Sequence, residues 1–259
     1  MGVVEIPVNA AWAVGLILAL IRVGTFVVLS PIIGRAIPAT GRMAFTVAVA
    51  MAMVTPVPGL VEVGPLVAAA GVNAIIGAAM GWVSGLIMHL FASAGGVIDL
   101  ISGLSVSTVF DPMQGEQGGV FTRMFHLSAT TMFLVAGGMG LLVGGLVASA
   151  TVLPLDASIT PQTGLVGYVV DTVTLLVRRG VELALPVMGV MLMLELAFGL
   201  ASRFAPQMNV FLLGLPAKLF TSITIVGSAW VLFPDAMADA ESYVGQSIEV
   251  VLRGLGASG

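Results

Sequence analysis

The sequence predicts an all-α membrane protein, and its composition, its hydropathy and its long uncharged stretches lead to that fold class. Of its 259 residues, 58% are hydrophobic and only 8% are charged, whereas globular proteins carry roughly 25% charged residues. The mean hydropathy is +1.13. Residues 63–98 contain no Asp, Glu, Lys or Arg, and a spanning helix needs only about 20 apolar residues. Because the apolar runs are continuous and lack the alternation of a spanning strand, they predict helices.

Six apolar segments can be drawn along the chain. Proline and glycine end the first two, at Pro31 and Pro56 and the residues around them, because proline cannot continue a helix. Polar, glycine-rich or proline-containing connections at 111–119 and 153–164 separate the next ones. The fifth segment is long and is interrupted by charged residues and by Pro186. The segments comprise residues 10–33, 43–54, 65–92, 120–150, 165–200 and 210–233.

The tail from Asp235 onward differs from the rest of the chain. Apolar residues recur there at helical spacing, while acidic and amide residues lie on other faces. The pattern predicts that 235–259 is an amphipathic or solvent-exposed tail on a single helical domain of residues 1–259. A helix docked on a membrane surface or a neighbouring protein and a merely solvated helix both stay open. The apolar positions are Met237, Ala240, Val244, Ile248 and Val251.

Several classes of function lack the residues that they need. The net charge of -4 includes no basic run, so nucleic-acid binding is not expected. Cysteine is absent, which excludes disulfides and thiolate metal sites. His89 and His126 have no second ligand at metal-site spacing, and no HExxH, GxSxG or phosphate-binding loop is present, so neither a metal, a cofactor nor an enzyme is predicted. The start lacks the basic region of a cleavable signal peptide, so the first apolar segment is expected to stay in the mature protein.

Charges inside apolar segments cost several kcal/mol unless they are paired or hydrated, so each is a functional candidate. Arg22, Asp99, Glu182 and Glu195 are such residues. A proton-coupled small-molecule transporter would use carboxylates of this kind. However, neither Asp99 nor Glu195 has a second carboxylate three or four residues away. We therefore favour a structural role, in ion pairs or hydrogen bonds between packed helices or subunits.

Two sets of glycines recur every four residues, which places them on one helix face and lets another backbone approach closely. Packing within the chain and contact between subunits both fit this pattern. The glycines are Gly77, Gly81 and Gly85 in one set, and Gly140 and Gly144 in the other.

Residues 103–112 join an apolar segment to a polar loop and interleave small residues with Val and Phe. Irregular backbone at membrane depth is tolerated only where it is buried in protein or lines a cavity. A hydrophobic constriction of a pore would fit this stretch, and so would an ordinary helix end.

The chain resembles the FliR/SpaR/SctT family of export-gate proteins in three blocks that occur in the family's order and spacing. The first runs from Arg22 through Pro31 to Arg35, Pro38 and Pro56, and the second is Gly103-Leu104-Ser105 with Thr108 and Asp111-Pro112. The third is the most specific and contains Pro186, Glu195-Leu196-Ala197-Phe198-Gly199-Leu200, Arg203, Pro206, Gln207, Asn209, Gly214 and Pro216.

The resemblance implies a subunit of the flagellar type III export gate in the bacterial inner membrane, within the basal body. It implies assembly with FliP-like, FliQ-like and FlhB-like subunits and with membrane lipid, and passage of unfolded flagellar substrates through a central pore. It also implies that the loop at about 104–119 plugs that pore. The implied plug residues are Leu104, Ser105, Val106, Thr108, Val109, Phe110, Asp111 and Pro112.

Two departures from the family pattern concern the plug and the helix before it. The family usually shows bulky residues near Val106 and Val109, whereas here the aromatic residue is Phe110. It also commonly shows an acidic residue one helical turn before Asp99, where this chain has Gly96. From the prolines and Gly214 in the third block we predict a helix break or tight hairpin within 203–216.

Overall fold

The computed structural model describes residues 9–58, 62–104, 118–157, 165–205, 207 and 209–256. Within these ranges the chain forms nine α-helices, one 3-10 turn at Trp230–Leu232 and no strand, which confirms the predicted fold class. The helices are α1 (Ala10–Leu29), α2 (Pro31–Ala36), α3 (Ala39–Met53), α4 (Val63–Ile101), α5 (Val120–Val135), α6 (Gly138–Val152), α7 (Leu165–Phe204), α8 (Val210–Ala229) and α9 (Phe233–Gly256).

Four of these helices are long and apolar enough to cross a membrane, namely α1, α4, and the parts Gly167–Phe204 of α7 and Leu212–Ala229 of α8. The number rises to five if α5 and α6 are counted as one broken span. The segment predicted at 43–54 forms α3, which has only 15 residues. At about 1.5 Å per residue, that helix is too short to cross a bilayer core of about 30 Å.

Three helix boundaries differ from the predicted segments. The first segment breaks at Ser30, and Pro31 then occupies the first turn of α2, where its missing N–H is not needed. The helix α4 continues past residue 92 to Ile101, because no proline or solvated charge stops it there. The segment predicted at 165–200 continues to Phe204 as α7, and Pro186 lies inside this helix without ending it; a long helix can tolerate the one backbone hydrogen bond that a proline removes.

The segment predicted at 120–150 divides into α5 and α6 at Ala136 and Gly137. Gly137 has a φ of 91°, a left-handed conformation that glycine adopts without a steric penalty at a helix end.

The predicted break within 203–216 is confirmed, since α7 ends at Phe204 and α8 begins at Val210. The side chain of Asn209 caps α8 by accepting a hydrogen bond from the Leu212 N–H at 3.3 Å. The prediction was wrong about two of the residues that it used. Gly214 and Pro216 lie inside α8, so the break comes from the residues before it.

The described residues cluster into two compact units. The first holds the chain up to Leu86, residues 137–169 and residues from Glu241 onward. In it, α1 contacts α2 and α3, and α3 contacts α6. The second unit holds residues 87–136 and 170–240. Its core contains an aromatic cluster of Phe91, Phe125, Trp230 and Phe233, with ring centroids between 4.6 and 5.8 Å apart.

The five apolar positions of the tail are all buried in α9. Ile248 lies opposite Gly145 of α6, where an added Cβ would meet its Cγ2 at 3.2 Å, and Leu141 lies opposite Gly245. The part of this face that belongs to the first unit, Val244, Ile248 and Val251, is therefore buried within the chain.

Candidate functional site

The carboxylate of Asp99 connects the end of α4 to the beginning of α5. Asp99 is 1% exposed. Its Oδ1 accepts a hydrogen bond from the Phe121 N–H at 2.9 Å, and its Oδ2 accepts from the Thr122 N–H at 2.8 Å and the Thr122 hydroxyl at 2.7 Å. These three hydrogen bonds thus offset the cost of burying the carboxylate inside the protein.

The sequence explains why α5 needs this carboxylate. The first N–H groups of a helix have no partner within the helix, and the N-cap of α5 is Gly119, which makes no side-chain cap. Asp99 supplies the acceptor from another helix, and its negative charge is favourable at a helix N-terminus. A Cβ on Gly119 would collide with this carboxylate, so the close approach requires glycine.

Of the predicted plug residues, only Leu104 lies within the described residues. Its N–H donates to the backbone oxygen of Asp99 at 3.0 Å, directly after Gly103, whose φ is 79°. An apolar pocket of about 410 Å³ lies beside it, lined among others by Val120, Met124 and Ile223. The plug residues outside the described part of the chain are Ser105, Val106, Thr108, Val109, Phe110, Asp111 and Pro112.

Arg22 is 0% exposed and is bound by neutral oxygens. Its Nε donates to the Asn73 Oδ1 at 2.8 Å and its Nη1 to the Ser149 Oγ at 3.2 Å. A longer contact of 3.5 Å joins Nη2 to the Pro154 oxygen. Asn73 in turn donates to the backbone oxygens of Ala69 and Leu155, each at 2.8 Å. This network joins α1, α4, α6 and the connection after α6 inside the first unit.

The glycines of α4 were expected to serve either packing within the chain or contact between subunits, and the structure shows packing within the chain. A Cβ on Gly77 would collide with the Arg22 oxygen, and one on Gly81 would lie 2.8 Å from the Phe26 oxygen. These glycines therefore serve packing of α4 against α1 within the chain, and Gly85 is likewise buried. Gly140 and Gly144 have open space at the Cβ position, so packing within the described residues does not explain them.

Glu195 and Lys218 form an ion pair between α7 and α8, with Nζ and Oε1 2.6 Å apart. The two side chains are 52% and 23% exposed, respectively. They line an open groove of about 400 Å³ together with Phe198, Gly214 and Leu215. Glu182 is bound differently: it pairs with Arg178 and Arg179 of its own helix, as is common for surface pairs at such spacing.

The remaining predicted residues do not converge on one site. Pro31 is the first residue of α2 and Pro38 is the N-cap of α3, whereas the side chain of Arg35 lies outside the described part of the chain, as does Pro206. Arg203 lies in the last turn of α7, Gln207 and Asn209 lie between α7 and α8, and Pro186 is inside α7. Among the described residues, no three His, Asp or Glu side chains are placed to hold a metal ion.

Two partners of these charges were not predicted from the sequence. Asn73 is a strongly polar amide within the uncharged run 63–98, and that position was the available signal. Thr122 gave no such signal, because a threonine at a helix start is common and its partner lies 23 residues away.

The comparisons with known proteins agree with the three sequence blocks. The chain matches the family described as "Bacterial export proteins, family 1" over residues 13–242. It belongs to this family. It is similar to flagellar biosynthetic protein FliR of Aquifex aeolicus, with 30% identity over 221 residues, which are 82% of this chain and 83% of that protein.

Two further proteins show similarity over different shares of the chain. Surface presentation of antigens protein SpaR of Shigella sonnei is 32% identical over 152 residues, or 59% of this chain. That match spans 58% of the length of the SpaR protein. FliR of Bacillus subtilis is 25% identical over 217 residues, covering 81% of this chain and 83% of the relative.

Proposed function

We propose that this protein is a pore-forming and gating subunit of a flagellar type III protein export apparatus in the bacterial inner membrane. The observation that carries the proposal is the family match across residues 13–242. In addition, the similarity to FliR relatives extends over more than four fifths of their length. In this role the protein conducts unfolded flagellar subunits and has no enzymatic activity of its own.

Exposed apolar residues on α7 and α8 support the proposal that the protein works within an assembly. Leu192, Met193, Leu212 and Phe220 on these helices are largely exposed, up to 75% for Phe220. Membrane lipid could cover these apolar residues if they were the only exposed groups there. A half-exposed ion pair within the same helices is costly against hydrocarbon, by several kcal/mol per charge. A protein partner can pack against the apolar residues and also hydrogen-bond to the ion pair. FliP-like, FliQ-like and FlhB-like subunits are the partners that the family relationship suggests.

The first experiment tests assembly. The tagged protein is purified from its host in mild detergent, and the chains that co-purify are identified by mass spectrometry. Recovery of FliP-like and FliQ-like chains in constant ratio is the expected result. A reproducible monomer or homodimer without partners would contradict the proposal.

We propose further that Leu104, Val106, Val109 and Phe110 close the pore hydrophobically. Replacement of all four by Gly or Ser should raise small-ion leak through the assembled complex, because apolar rings seal a pore by excluding water. The matched control replaces Val63 and Val67, which are exposed at the other end of α4, by Ser. Leak at the wild-type level in the fourfold variant would remove these residues from the seal.

The alternative of a proton-coupled small-molecule transporter gains no support from the site. A proton-carrying carboxylate needs free access and a free oxygen, whereas Asp99 is buried and accepts three hydrogen bonds. Glu195 is half-exposed, but its Oε1 is held in an ion pair with Lys218. If the co-purification experiment gave a protein without partners, proton-flux assays on Asp99 and Glu195 variants would be the next step.

A further inference from the structure

The residues just after α4 and the first turn of α5 are both hydrogen-bonded to Asp99. Leu104 is held by its N–H on the backbone oxygen of Asp99, and Phe121 and Thr122 are held by the side chain of the same residue. We infer that Asp99 is a positioning residue, whose carboxylate holds the last turn of α4 against the first turn of α5. The inference rests on the proposed function only where it concerns ion leak.

The chemistry of the contact makes Asp99 more than a packed polar group. Hydrogen bonds to an ionised acceptor are roughly twice as strong as neutral ones, and Asp99 makes three of them in a buried place. Without the carboxylate, two N–H groups at the start of α5 lose their acceptor, since the cap residue Gly119 has no side chain. Loss of Asp99 thus removes the hydrogen bonds that hold the start of α5 against α4 and does not merely leave a small cavity.

A substitution at Gly119 gives a second, independent test of the same contact. A methyl group there would occupy the place of the Asp99 carboxylate and push it from its donors. Gly96, on α4 and also near Thr122, is the matched control, because a Cβ there would lie 3.5 Å from the Thr122 Oγ1, which is ordinary contact. Gly119→Ala should therefore reproduce the effect of Asp99→Ala, and Gly96→Ala should not.

Two measurements on the purified full chain test the contact directly. Hydrogen exchange at the Phe121 and Thr122 amides should become at least about tenfold faster in Asp99→Ala, and less so in Asp99→Asn, which keeps one acceptor oxygen. Spin labels on cysteines replacing Leu100 and Val120, which are 69% and 65% exposed, report the distance between the two helix ends. The chain has no cysteine of its own, so only these positions are labelled.

The distance distribution should be narrow in the parent protein and in Gly96→Ala, and broad in Asp99→Ala and Gly119→Ala. The double variant Asp99→Ala/Gly119→Ala should resemble Asp99→Ala alone, because the clash needs the carboxylate. A general loss of stability would instead add the two effects. Wild-type exchange and a narrow distribution in Asp99→Ala would overturn the inference.

Ion leak through the assembled complex separates this inference from the proposed function. Asp99→Ala and Gly119→Ala should leak severalfold more than the parent and Gly96→Ala. If the fourfold plug variant leaks and Asp99→Ala does not, the positioning role is wrong while the plug stands. If neither leaks, the gating proposal fails, and exchange and distance alone decide on the contact.

Discussion

The buried network of Arg22 allows a sharp prediction about two substitutions. Arg22→Met removes the charge together with its hydrogen bonds, whereas Arg22→Lys keeps the charge but cannot reproduce the planar, forked donors of the guanidinium. Because Arg22 is fully buried and its acceptors are neutral oxygens, a lysine would be left as a buried cation with incomplete hydrogen bonding. We therefore expect Arg22→Lys to destabilise the protein more than Arg22→Met.

The magnitude follows from the contacts. The bonds of 2.8 and 3.2 Å to Asn73 and Ser149 are well formed, whereas the 3.5 Å contact to Pro154 is weak. In Arg22→Met, the main loss is that the Asn73 oxygen keeps no donor, which costs about 1–3 kcal/mol. Ser149 still donates to the Leu146 oxygen. A buried charged group that loses hydrogen bonds costs more than the about 1–3 kcal/mol of a neutral group, so we expect Arg22→Lys to cost more than about 3 kcal/mol.

The assay is thermal unfolding of the detergent-solubilised protein, followed by the fluorescence of its three tryptophans. For a chain of this size, 1 kcal/mol corresponds to about 2–4 °C in Tm, so the two variants should differ by several degrees. A lysine variant as stable as the parent would show that the forked geometry is unimportant. A methionine variant less stable than the lysine variant would refute the reasoning, since the charge itself would then be the stabilising element.

Three further predictions concern other parts of the chain. Gly77→Ala should destabilise the protein by about 1–3 kcal/mol in the same assay, because the methyl group meets the α1 backbone, whereas Gly71→Ala, with open space around it, should be neutral or stabilising. Glu195→Gln and Lys218→Met should each lower the recovery of partner chains by mass spectrometry, and the charge swap Glu195→Lys/Lys218→Glu should restore it; a swap that restores nothing would contradict a role of the ion pair. Burial raises the pKa of Glu241 above its ordinary value of 4.5, so its charge opposes folding at neutral pH, and Glu241→Gln should be more stable than the parent at pH 7. That advantage should vanish below about pH 4.5, where the parent carboxyl is protonated in both states; an advantage independent of pH would contradict it.

The fold class was predictable because it depends on properties that a single segment carries. The uncharged run 63–98 and the apolar segments determine helices on their own, and the break after Phe204 was likewise predictable from Pro206. The division of 120–150 was missed, although the pair Gly137-Gly138 marks it. The end of α4 was missed because the predicted segment stopped at residue 92, although no proline or charge lies between it and Asp99 and the helix continues to Ile101.

The contacts of the candidate residues were not predictable, because their partners are distant in sequence. Arg22 binds Asn73 and Ser149 at separations of 51 and 127 residues, and Glu195 binds Lys218 across a helix break. The glycine repeat shows the same limit. Its spacing predicted a close backbone approach, but only the structure shows that α1 meets Gly77 and that Gly140 remains open.

The charged residues divide by how completely the chain satisfies them. Among the described residues, Arg22 and Asp99 are buried without an ion pair, and neutral donors or acceptors bind each. In the Glu195–Lys218 pair, Lys218 binds the Oε1 of Glu195 and the glutamate side chain is half-exposed, on helices α7 and α8 that also carry exposed apolar side chains. Buried charges that the chain itself hydrogen-bonds need no partner protein, so variants of Arg22 should act on the stability of the isolated chain. Half-exposed charges in an apolar face need a cover, so variants of Glu195 and Lys218 should act on assembly and leave the isolated chain nearly unchanged.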